Sequence, residues 1–204
     1  MNRLSLQLKM ILFLAMAVLW SPVHAEISYE GTSKGTVVRM YKADHTDFKA
    51  PVKKGPWNER NPDSAPTVAA IGIGDADARI TRIANVAAEV VPDLLSGVSG
   101  LKVATKLDVK KYLKSKDLPG NPKGDNLATV RDHALSRYDV VLFVWFSKGW
   151  LRFNASHAIS ENKARYHGFS VYLADSPSDQ DIRDAVKPDQ IVHSIDMALG
   201  RQKE

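Results

Sequence analysis

The sequence predicts an α/β sandwich with a mixed sheet, in the order β-α-β-α-α-β-β-β-α, from Thr67 to the C-terminus. Three observations carry this expectation. Thr67–Gly74 and Asp139–Phe146 are short apolar runs with no polar face, the pattern of strands covered on both sides. Between them, Ile80, Ile83, Ala84, Ala87, Val90, Val91, Leu94 and Leu95 recur at three- and four-residue steps, one stripe of an amphipathic helix. After them, Trp150–Ser160 alternates apolar and polar, the signature of a strand with one covered face. The first two features imply parallel strands joined by helices, and the third an antiparallel meander.

Residues 1–25 read as an export signal. Arg3 and Lys9 supply the positive start, Met10–Trp20 an uncharged apolar stretch, and Val23-His24-Ala25 a small-residue cleavage site. The apolar stretch is shorter than the ~18–20 residues that span a bilayer, so cleavage after Ala25 is expected rather than anchoring. The mature chain then has 179 of the 204 residues and no membrane-spanning segment. It keeps 26 of the 28 Lys and Arg residues against 23 acids, so the net charge falls from +5 to +3. Lys53-Lys54 and Lys110-Lys111 are the densest basic spots. Each reads as solvated surface, and no clustered footprint points to nucleic acid. The chain has no cysteine. That removes disulfides, thiol nucleophiles and thiolate metal sites, and an exported protein without them relies on its own core.

Residues 26–66 are expected to form an extended, proline-rich arm carrying Pro51, Pro56, Pro62 and Pro66. Within it, Thr36–Tyr41 reads as one strand that pairs with Ile27–Glu30, whereas Lys42–Pro66 has no apolar period and reads as irregular. Trp57 is its one tryptophan and reads as a pin holding the loop on the domain; the other reading is an anchor for a partner. Residues 67–204 form the domain. Its first helix is capped by Asp75 or Asp77, kinked or restarted at Pro92, and ended by Gly97–Gly100. Leu101–Thr105 follows as a short strand, then a helix over Leu107–Lys116. Asp117–Gly124 is a loop, and Asp125 or Asn126 opens the next helix, which runs to Tyr138. Arg165–Leu173 is the last strand of the meander. Asp179–Leu199 is helical and split at Pro188.

No motif names a reaction. Gly72-Ile-Gly74 lacks the third glycine of a dinucleotide fingerprint and reads as a tight turn at a strand end. Asp75-Ala-Asp77 has no further carboxylates at calcium-loop spacing and reads as helix capping. Ser99-Gly-Leu-Lys102 fits SxxK but leads into a strand, without the companion motifs of a serine acyltransferase. His45, His133, His157, His167 and His193 are scattered, with no metal-ligand spacing. His157 and His167 fall on consecutive strands, where the register decides whether they sit side by side as a half-site or pH switch, or as ordinary satisfied sheet residues. Asp132-His133 adjoins no nucleophile. Asp44-His45 and Asp47 lie in the arm, a poor place to hold a rigid site. Asn154-Ala-Ser156, a glycosylation sequon by pattern, sits mid-strand and reads as chance. No catalytic residue, cofactor or metal ligand is therefore assigned.

In the order of its elements, the stretch from Thr67 onward resembles an envelope domain shared by three groups. These are the CsgG curli-secretion family, the TolB N-terminal domain and the lipoprotein activators of peptidoglycan synthases. The matching elements are Val68–Ile73, the helix Ile80–Leu95, and the strand Gly100-Leu-Lys-Val-Ala104. The others are the aspartate before a hydrophobic strand in Ser136-Arg-Tyr-Asp139-Val-Val-Leu-Phe-Val-Trp145, and the hairpin Leu151–Ile159 with Tyr166–Leu173. Those families usually carry a glycine two positions before that aspartate, where this chain has Arg137. The chain also has no cysteine for a lipid anchor and is too short for a propeller. The resemblance implies a periplasmic module that docks on other proteins, and it carries over no catalytic residue.

The leading expectation is thus an exported, non-enzymatic interaction or assembly module of a bacterial cell envelope. Its contact surfaces would be the 26–66 arm and the polar face of the meander. A second reading is a small exported hydrolase with His133, His157 or His167 as base. A third is a binder of anionic polymer, resting on the +3 charge.

Overall fold

The structure, a computed structural model, describes residues 26–31, 37–45, 49–51, 55–56 and 64–201, the first two segments as backbone. Residues 1–25, expected as an export signal, and Asp47, Lys53-Lys54 and Trp57 lie outside the described residues.

Among the described residues, seven strands form one mixed sheet: β1 (Glu26–Gly31), β2 (Val37–His45), β3 (Thr67–Gly72), β4 (Lys102–Val103), β5 (Val140–Ser147), β6 (Trp150–Ser160) and β7 (Lys163–Tyr172). Their spatial order is β1-β2-β7-β6-β5-β3-β4. Pairing is parallel between β3 and β4 and between β3 and β5, and antiparallel elsewhere. Five helices stand among the described residues beside it: α1 (Ala78–Leu95), α2 (Lys106–Lys114), α3 (Asn126–Leu135), α4 (Asp179–Ala185) and α5 (Pro188–Leu199). From Thr67 the order is the expected one, with the last helix divided ahead of Pro188.

The sheet separates two cores. On one face, α1, α4 and α5 cover Val140, Leu142, Val144, Leu151, Phe153, Phe169 and Val171. The rings of Phe153 and Phe169 stack with centroids 4.8 Å apart, both fully buried. Each such side chain contributes roughly 1.5–3 kcal/mol by leaving water. On the other face, Val109 and Leu113 of α2 and Val130, Ala134 and Leu135 of α3 cover Ala69, Ile71, Val141 and Phe143.

Two expectations needed correction. The first is the restart allowed for at Pro92: α1 runs continuously through that residue to Leu95. Proline removes one helical donor, but Val91 and Leu95 on either side of it are buried against the sheet, and that packing holds the turn. The second concerns the arm. The strand pair within it forms as anticipated, with Ile27 opposite Tyr41. However, it does not stand apart from the domain. β2 pairs along its length with β7, Val38 opposite Val171 and His45 opposite Ala164, so β1 and β2 extend the sheet. Farther along, Ala50 donates its N–H to the Glu161 carbonyl at 2.9 Å and packs on the α2/α3 core.

Asp139 joins the two central parallel strands. Its Oδ2 accepts from the Thr67 backbone N–H at 2.7 Å and from the Thr67 hydroxyl at 2.9 Å. At the other end of β3, a Cβ on Gly72 would lie 2.5 Å from Asn85 Oδ1 and 3.1 Å from the Ala84 carbonyl. Glycine there lets α1 press directly on the strand.

Candidate functional site

Strand alternation places Phe143 and Trp145 of β5 on the α2/α3 face. The β5–β6 register sets Asn154 opposite Phe143 and Ser156 opposite Val141, so the polar side of β6 lies beside these rings. Helix α3 covers the strip only in part and leaves a groove of about 490 Å³. Phe143 and Trp145 are its floor, Leu127 and Arg131 its helical wall, and Asn154 and Ser156 its opposite side. Arg131 Nε donates to Asp132 Oδ1 at 2.8 Å, and both side chains are mostly buried. Asp132 Oδ2 in turn accepts from the Lys49 N–H at 3.3 Å, tying the segment after β2 to α3. The Ser156 hydroxyl reaches Asn154 Oδ1 at 3.2 Å. The groove thus offers flat aromatic surface with amide, hydroxyl and guanidinium groups at its sides. That combination suits recognition of a polar or aromatic chain segment.

The histidines do not gather in the groove. His157 and His167 share the other face, opposite Arg165 and Ala155, which makes them diagonal neighbours on β6 and β7. His157 Nδ1 lies 2.7 Å from the Asp139 carbonyl. A carbonyl only accepts, so the ring donates there and its tautomer is set. His167 Nδ1 lies 3.2 Å from Ser194 Oγ, and its ring meets His193 edge-on at 5.3 Å. His157 and His167 are both at least nine-tenths buried. His133 lies in the last turn of α3, across the sheet, where its carbonyl accepts from the Tyr112 hydroxyl at 2.8 Å. His45 pairs with Ala164 in the backbone ladder. Among the described residues no three His, Cys, Asp or Glu side chains form a metal-binding group. No helix among them is long and apolar enough to cross a membrane.

Other candidates take structural places. The Asp77 side chain accepts from the Arg79 N–H at 2.8 Å and caps α1, while Asp75 Oδ1 accepts from the Asp77 N–H at 2.9 Å. The Gly74 N–H donates to the Pro122 carbonyl at 2.9 Å, and Asn121 Nδ2 donates to Asn85 Oδ1, so the Gly72–Gly74 turn is closed by its own neighbours. Ser99 is exposed in the turn between α1 and β4.

Arg131 and Trp145 escaped the sequence reading. Trp145 belongs to a strand that reads as covered on both faces, and the position where α3 stops covering it is a matter of helix placement. The available signal was the two alternations taken together, because β5 and β6 are adjacent and antiparallel. Compared with protein-family models, curated proteins and solved structures, the chain matches none.

Proposed function

We propose that this chain is an exported, periplasmic, non-enzymatic interaction module of the bacterial cell envelope, and that it holds a protein partner in the groove between α3 and β5–β6. The groove is the observation that carries this reading. It lies on the polar face of the meander, the surface expected to make contacts, and it adds an aromatic floor of the kind that anchors interfaces. The resemblance in element order to the CsgG and TolB N-terminal domains supports the same assignment. The hydrolase reading loses support, since His157 and His167 direct ring nitrogens at internal partners and His133 lies across the sheet from them.

A photo-activated cross-linker at Ala128 or Asn154, in the native host, should trap one discrete protein. The adduct should vanish when Trp145→Ala is added. A cross-linker on the exposed face of α4, at Asp184, should not trap it. Equal adducts from both positions would refute the groove as the docking site. Fractionation with N-terminal sequencing tests the export assignment, with Glu26 expected as the first residue of a periplasmic product.

A further inference from the structure

Positive charge is concentrated on one helix. Residues 102–117 hold six lysines and two aspartates, a net charge of +4, against +3 for the whole of residues 26–204. Successive residues of an α-helix are ~100° apart, so Leu107, Lys110, Lys111 and Lys114 fall within an arc of about 100°, away from the buried Val109 and Leu113. All four are exposed. Leu107 is 60% exposed, the most exposed large apolar side chain among the described residues. None of these three lysines has a carboxylate within ion-pair distance among the described residues, whereas Lys106 pairs with Glu89. Asp108, the acid on α2, is engaged first by the Thr105 cap and also feels the Lys111 charge. Crowding is already felt at Lys106: burial first, and then the Lys110 charge, draw its ammonium below the usual lysine range. Lys116 and Arg137 extend the basic surface beside Tyr112 and Tyr138.

We infer that the outer face of α2 docks on an anionic phospholipid surface, with Leu107 entering the boundary between headgroups and acyl chains and Lys110, Lys111 and Lys114 meeting headgroup phosphates. Charge alone would serve any polyanion. The leucine in the middle of the lysine stripe is what favours lipid. A soluble polymer gives it nothing to enter, whereas an interfacial helix pairs apolar insertion with lysine stems that extend up to the phosphates. The surface is separate from the groove and does not depend on the protein-docking reading.

The test is co-sedimentation of the mature chain with vesicles of phosphatidylglycerol and phosphatidylcholine in equal parts, against phosphatidylcholine alone. Binding is expected to the anionic vesicles only and to fall steeply with salt. Lys110→Gln, Lys111→Gln and Lys114→Gln together should weaken it on the order of 100-fold, at about fivefold per lysine. Leu107→Ser should weaken it about tenfold. All four positions are exposed, and an unchanged thermal melt confirms that the variants fold. Trp145→Ala should leave vesicle binding intact, which separates this proposal from the groove. Three results overturn the inference: no binding to anionic vesicles, equal binding by the triple variant, or a Leu107→Ser variant that binds as tightly as the parent. Binding to heparin or polyaspartate without vesicle binding assigns the face to soluble polyanions and overturns it as well.

Discussion

The two faces of the sheet are built differently. The face under α1, α4 and α5 is closed by large side chains, with Phe153, Phe169, Leu151, Ile182, Ile191 and Ile195 fully buried. The face under α2 and α3 relies on smaller contacts such as Ala69, Ala134, Ala158 and Ala164, and it leaves Trp145 half-buried at the edge of a groove. One face is spent on stability, and the other keeps aromatic and charged groups accessible. In a chain with no disulfide, the closed face is what allows the open one.

The sharpest way to break this contrast is to truncate one ring on each face. Phe169→Ala should lower unfolding free energy by about 3–5 kcal/mol in urea titration. Trp145→Ala should lower it by about 1 kcal/mol while abolishing the cross-linked adduct. Equal losses of stability would erase the distinction. Gly72→Ala comes next. Its new Cβ meets backbone of α1, so the helix must move off β3 at a cost of about 1–3 kcal/mol, read from the shift in denaturation midpoint.

Smaller effects compare the helix caps on the two faces. Thr105 and Ser178 each form a capping box, with Asp108 on α2 and Asp181 on α4. Replacing either hydroxyl residue by alanine should cost about 1 kcal/mol. The two carboxyls also set a pH signature. Hydrogen bonds from the Thr105 and Ser178 hydroxyls, then from their backbone N–H groups, hold Asp108 and Asp181 below the usual aspartate range. The folded state therefore binds fewer protons than the unfolded chain in that range. The stabilisation is complete above the ordinary aspartate value and is lost as pH falls through the lowered one. Melting temperatures between pH 6 and pH 2.5 should drop less steeply in the Thr105→Ala, Ser178→Ala double variant than in the parent.

Periodicity made the central strands and α1 legible, because each buries a contiguous set of apolar side chains whose spacing is set by local geometry. It allowed a restart at Pro92 that does not occur, since a local rule about donors does not register how firmly Val91 and Leu95 are held from outside the helix. It also left the β1–β2 hairpin outside the sheet, because nothing near residues 37–45 in sequence identifies β7 as their partner. The groove was half legible. The polar alternation of β6 was plain, but the depth to which α3 covers β5 depends on tertiary packing. The clustering of charge on α2 could be counted in the sequence, yet its exposed leucine became meaningful only once Val109 and Leu113 fixed which side faces in.

The pairing of β2 with β7 also orders events in time. A chain that emerges from its N-terminus presents residues 37–45 long before residues 164–171, with which they will pair. Until then the hairpin has an unmatched row of backbone donors and acceptors. Closing so wide a loop carries a larger entropic cost than forming the β5–β7 meander, whose strands are neighbours in sequence. Strands that appear early thus wait for a late partner, and an unpaired strand edge is open to capture by a chaperone or by another copy.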